Sequence, residues 1–90
     1  MKVAVIGTGN IGTDLLIKLK RLDFVDVVAF VGRRPLTKTI PPGVNYFKNG
    51  IEFFREHPRV CDIVFDCTDA YSATENAKVF FDQEIGRAHV

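Results

Sequence analysis

Four apolar residues, Val3, Ala4, Val5 and Ile6, stand in an unbroken run after Lys2. Such a run fits a parallel strand covered on both faces, here about Lys2 to Ile6. Past Gly7-Thr8-Gly9-Asn10-Ile11-Gly12 the pattern becomes helical, over about Asn10 to Leu22. Ile11, Leu15, Leu19 and Leu22 fall at i, i+4, i+8 and i+11, on one face that Leu16 extends. Lys18, Lys20 and Arg21 put positive charge towards the C-terminal end, where the helix dipole favours it. Asp23 breaks the pattern, and Val25 to Val31 read as a second strand. The three elements make a βαβ unit with a right-handed crossover.

Gly32-Arg33-Arg34-Pro35 closes that strand, and Pro35, Pro41 and Pro42 keep the stretch to Gly43 out of regular helix. Asn49-Gly50 resembles a cap for a short helix, about Ile51 to His57, stopped at Pro58. Cys61 to Asp66 reads as a third strand. Tyr71 to Gln83 reads as a helix with Ala73, Ala77, Phe80 and Phe81 on its apolar face. The expected class is α/β, a Rossmann-type parallel sheet forming the three-stranded βαβαβα half of a doubly wound fold. Residues 1–83 are read as an incomplete dinucleotide-binding domain. Three strands alone would leave a sheet edge and helix faces uncovered.

The turn between the first strand and helix is G-x-G-x-x-G in the setting that motif requires. Gly7 permits a sharp turn off the strand, Gly9 permits close approach of a pyrophosphate, and Gly12 permits tight helix–strand packing. Phosphates then meet the unpaired N–H groups and positive dipole end of the helix. Gly7, Thr8, Gly9, Asn10, Ile11 and Gly12 are therefore the candidate phosphate-binding residues. The alternative is a tight turn that binds nothing.

The end of the second strand normally selects the cofactor, through an Asp or Glu that accepts from the adenosine ribose 2′-OH of NAD. That place holds Gly32-Arg33-Arg34 instead. Guanidinium groups suit a 2′-phosphate, so Arg33 and Arg34 lean towards NADP or dual use. The alternative is that one arginine stacks on adenine or is merely solvated. Thr68, just past the third strand, is a candidate contact for the cofactor's ribose or pyrophosphate, while Asp66 is read either as a ligand contact or as a partner for loop N–H groups. Cys67 lies between Asp66 and Asp69, which disfavour a thiolate, so Cys67 and Cys61 are read as structural thiols.

Composition adds limits. Two cysteines without metal-type spacing to His57 or His89 exclude a Cys/His metal site and fit reduced thiols in the cytoplasm. A net charge of +1 offers no general attraction to nucleic acid or anionic membrane. No apolar run approaches the roughly 20 residues of a membrane span.

Three stretches together, K-V-A-V-I-G-T-G-N-I-G-T-D-L-L-I-K, V-A-F-V-G-R-R-P and C-D-I-V-F-D-C-T-D-A, resemble the N-terminal cofactor domain of acylating acetaldehyde dehydrogenases, of the semialdehyde dehydrogenase type. The resemblance covers most of positions 2 to 83, more loosely between Pro35 and Pro58, and G-N-I-G-T-D-L is its most specific piece. It implies oxidation of acetaldehyde with coenzyme A to acetyl-coenzyme A as NAD is reduced, through a cysteine nucleophile in a later segment. Neither Cys61 nor Cys67 stands in that cysteine's place, so no catalytic residue is carried over. Gly7, Gly9, Asn10, Ile11 and Gly12 match the family's phosphate-binding turn, and Gly32 and Thr68 match further motif positions. An acidic residue is common in the family near Arg34, and a small hydroxyl residue where Asp69 stands; an aldolase partner is implied by the resemblance alone. The rival readings are another Rossmann oxidoreductase (an aspartate-semialdehyde or amino-acid dehydrogenase) and a non-catalytic nucleotide-sensing module.

Glu84 to Val90 fits no element in this reading. Written back into ordinary codons, the heptapeptide resembles a widely used short-read sequencing adapter, so residues 84–90 are expected to be a non-native tail. Amplifying the natural locus is expected to give different codons after about Gln83; finding codons for this same tail would refute that expectation.

Overall fold

The computed structural model describes the whole chain, residues 1–90. Strand β1 (Lys2–Ile6) runs between β2 (Asp26–Val31) and the later strand Ile63–Asp66, parallel to both. Its apolar run is unbroken because both faces are covered. Val3 and Val5 enter one core with Leu16, Leu19, Val27 and Phe30, while Ala4 and Ile6 enter the other with Phe53, Phe54, Val64, Val79 and Phe80. The register between β1 and β2 shifts at Val3/Ala4, where Val27 and Ala29 are the successive partners. The extra residue, Val28, lets Val27 and Phe30 reach the same face.

Helix α1 (Asn10–Leu19) covers one side of the sheet. It is shorter than the expected Asn10 to Leu22, and its buried residues are Gly12, Thr13, Leu16 and Leu19. Ile11, placed on the buried face by spacing, is 59% exposed, and Leu22 is exposed as well. Gly12 and Thr13 take the inward position because the helix lies so close to β1 that only small residues fit there. The loop after β2 is packed rather than free, with Leu36, Ile40 and Val44 against the α1-side core.

A two-residue strand, β3 (Tyr46–Phe47), pairs parallel with Phe30 and Val31 at the far edge. Helix α2 (Glu52–Glu56) follows, and its Ile51 cap makes no side-chain hydrogen bond. The expected cap residue Asn49 instead donates to Glu56 Oε1 at 3.2 Å. Strand β4 (Ile63–Asp66) and helix α3 (Ala70–Asp82) then complete the second side of the sheet. Phe80 is fully buried, edge-on to Phe54, whereas Phe81, expected beside it, is 82% exposed.

Five strands are present where three were expected, in the order β3-β2-β1-β4-β5, all parallel. The fifth, β5 (Gly86–His89), lies in the stretch to which no element was given. After α3 the N–H of Glu84 donates to Phe81 O and that of Ile85 to Phe80 O, both at 3.0 Å. With Glu84 at φ 58° this is a Schellman turn, and the buried Ile85 anchors it to the core. The sequence signal was missing because the left-handed position carries Glu84 and not glycine.

Replacing Phe80 by Ala is expected to cost ~3–5 kcal/mol in urea unfolding, and Phe81→Ala less than ~0.5 kcal/mol. Equal losses at the two positions would contradict the assignment of the buried face.

Candidate functional site

The chain leaves β1 at Gly7 with φ +109°, and a Cβ there would lie 2.7 Å from the Cys67 carbonyl carbon. The backbone reversal and the neighbouring strand both require glycine. Gly12 is more constrained still, since a Cβ would lie 1.9 Å from Gly7 O. Gly9 differs, with nothing within 4 Å of a Cβ built on it. Its missing side chain answers no need of the fold, and it opens the backbone to anything entering from outside.

Gly9 is also the N-cap of α1, and no side chain caps this end. The first turn's N–H groups, those of Asn10, Ile11 and Gly12, precede the first helical bond, from Thr13 N to Gly9 O at 3.0 Å. Helix α3 behaves differently. Its N-cap Asp69 accepts from Ser72 N and from Ser72 Oγ, both at 2.9 Å. These bonds, the backbone one foremost, hold the Asp69 carboxyl below the ordinary carboxylate range. One helix end is therefore closed by a carboxylate, while the other offers its N–H groups and dipole.

Asp66 resolves as a structural residue. It is 2% exposed; Oδ1 accepts from the backbone N–H of Thr68 at 2.9 Å and from the Thr68 hydroxyl, and Oδ2 accepts from Asn76 Nδ2 at 3.1 Å. With all three donors in place, the carboxylate fixes the turn that presents Thr68. Gly32 ties together the other strand tips. Its N–H donates to Phe47 O and its carbonyl accepts from Gly50 N, each at 2.9 Å, while Thr8 and Tyr46 leave no room for a Cβ. The Tyr46 hydroxyl donates to Arg34 O, and Lys38 Nζ donates to Asn10 Oδ1 at 2.6 Å, which bends the following loop back to α1.

A cavity of about 710 Å³ lies across these tips, where β1 sits between β2 and β4 and the strand order reverses. Gly7, Thr8, Gly9, Arg33, Arg34 and Thr68 line it. Asn10, Ile11 and Gly12 do not, and what they contribute is the backbone of the helix end. Lys38, Ser72 and Asn76 also line it and were not read from the sequence. Asn76 carried a usable signal: it falls in the apolar stripe of α3 between Ala73 and Phe80 and is only 3% exposed. A polar residue at such a position implies a buried partner, here Asp66.

Cys67 lines the cavity, but burial, and then the charge of Asp66, push its thiol from the ordinary 9.0 up to about 11. Burial raises Cys61 to about 11 as well, with Asp62 adding to it. Neither is activated as a nucleophile.

An open parallel sheet of this order, flanked by helices and bearing a glycine turn at its reversal point, defines a Rossmann-like α/β fold. No family model matches the chain. Curated proteins named acetaldehyde dehydrogenase do match: that of Geobacillus stearothermophilus is 40% identical over 91 residues, covering 97% of this chain and 30% of the relative. Those of Spirochaeta aurantia (40% over 90 residues, 96% of this chain) and Bacillus cereus (37% over 91 residues, 97% of this chain) are covered to the same 30%. The chain is thus a homologue of the acetaldehyde dehydrogenases over nearly its whole length, and it spans about 30% of the length of these relatives. The resemblance carried by its three motif stretches is borne out.

Alkylation of Cys67 by iodoacetamide near neutral pH is expected to run roughly a hundredfold slower than for an ordinary thiol, given the shift from 9.0 to about 11. The rate should climb through pH 9 to 11, and fast labelling of the folded chain at neutral pH would contradict this.

Proposed function

We propose that this chain is the NAD(P)-binding part of an acylating aldehyde dehydrogenase, which oxidises acetaldehyde with coenzyme A to acetyl-coenzyme A. The observation that carries the reading is the uncapped α1 terminus behind Gly9, opening into the cavity at the strand-order reversal. The pyrophosphate is held by the N–H groups of that first turn, where no side chain competes for them. Thr68, set by Asp66, lines the same cavity to hold a ribose or phosphate oxygen. The cofactor's nicotinamide supplies the hydride acceptor, and this chain's residues bind and orient it.

The names of the relatives support the activity, and the unreactive thiols of Cys61 and Cys67 are consistent with a nucleophile outside this stretch. An aldolase that delivers the aldehyde is a proposal of the same kind, resting on resemblance. The unpaired thiols suit a reducing, cytoplasmic compartment.

Calorimetric titration of the chain with NAD and with NADP tests the reading, with Gly9→Leu as the diagnostic variant. Open space around position 9 predicts a variant that still folds, its melt lowered slightly by the weaker N-cap, and at least a tenfold loss of affinity. A folded variant that binds as tightly as the parent, or a parent that binds neither nucleotide, would overturn the assignment. The activity is tested on a chain extended to the length of its relatives, where cofactor reduction should require both acetaldehyde and coenzyme A.

A further inference from the structure

We propose that the cavity selects a nicotinamide dinucleotide bearing a 2′-phosphate on its adenosine ribose, and that Arg33, Arg34 and Lys38 make the selection. The proposal rests on the dinucleotide reading above and concerns the same site. In a parallel sheet of this order the adenosine ribose comes to the end of the second strand, where a carboxylate accepts from an unmodified 2′-OH. Here Arg33 and Arg34 follow Gly32 at that point, and both line the cavity.

The remaining lining offers no substitute for the missing carboxylate. Asp69 is the one acidic residue on the cavity wall, beyond β4, and its oxygens are engaged by Ser72. The ion pairs of the chain are Lys18–Asp14, Arg55–Glu52, Arg59–Glu84 and Lys78–Glu75, so none neutralises Arg33, Arg34 or Lys38.

Uncharged contacts nevertheless hold the Arg33 stem, the Arg34 backbone and the Lys38 amine. The stem of Arg33 lies over Gly50, its Cγ 3.3 Å from where a Cβ would stand. The backbone of Arg34 is tied by the Tyr46 hydroxyl, and the Lys38 amine by Asn10 Oδ1 at 2.6 Å. Anchoring of this kind leaves the charges available. Three like charges on one wall repel until an anion joins them. A 2′-phosphate supplies that anion and accepts paired guanidinium hydrogen bonds, whereas a 2′-OH leaves the cations facing water.

The test is calorimetric titration of the 90-residue chain with adenosine 2′,5′-bisphosphate and with 5′-AMP, then with NADP and NAD. The 2′-phosphorylated member of each pair is expected to bind roughly tenfold or more tightly, by a margin that narrows with added salt. In the Arg33→Ala/Arg34→Ala double variant, whose side chains are exposed, the margin should fall to about twofold while affinity for 5′-AMP is kept. Equal affinities within each pair, or tighter NAD, would overturn this proposal and leave the site reading intact. Failure of all four ligands to bind would remove the site reading, and this proposal with it.

Discussion

No side chain can stand at position 12, because a Cβ there would lie 1.9 Å from Gly7 O, far inside van der Waals contact. That contact brings α1 onto β1 at the spacing on which the rest of the structure depends. It sets Leu16 and Leu19 against Val3, Val5 and Phe30, and it aims the open end of the helix at the strand tips. With a longer residue at position 12 the helix would ride outward. Its buried face would lose contact, and its N–H groups would no longer meet the crevice between β1 and β4.

The crevice is built from several backbone ties that converge at one level. Gly7 N–H donates to Val31 O, Cys67 N–H to Ile6 O and Gly50 N–H to Gly32 O, so the ends of β1, β2 and β4 and the start of α2 are mutually fixed. Buried charge is handled inside this frame. Asp66 takes three hydrogen bonds from Thr68 and Asn76, which makes it a rigid support, and its charge works with burial to suppress the Cys67 thiolate. The polar groups that reach the cavity are therefore held in position by that frame. None supplies an activated nucleophile.

Periodicity served well where one face of an element dominates its burial and less well elsewhere. The run Val3 to Ile6 and the strands ending at Val31 and Asp66 were legible because a strand between two layers must be apolar throughout. Ile11 and Phe81 were misplaced because helix spacing gives a stripe but not its centre. The stripe of α1 turned towards Gly12 and Thr13, where closeness to β1 excludes bulk, and that of α3 turned towards Asn76, where a hydrogen bond to Asp66 stands in for apolar contact. Strands β3 and β5 were invisible for a related reason. Both are short, half or fully exposed, and held mainly by pairing with a neighbour that sequence pattern alone does not identify.

By itself the sequence determined the βαβ frame, the glycine turn and the arginines at the end of the second strand, since these rest on local backbone needs and on charge. Only the tertiary structure decided which of those residues share a cavity. It put Lys38, Ser72 and Asn76 beside Thr68 and the arginines, and it left Asn10, Ile11 and Gly12 off the cavity wall, in the first turn of the helix whose end opens there. The physical reason is that a crevice is made by strand ends brought together from distant parts of the chain. Their meeting depends on register, on crossover and on how closely one helix can approach one strand.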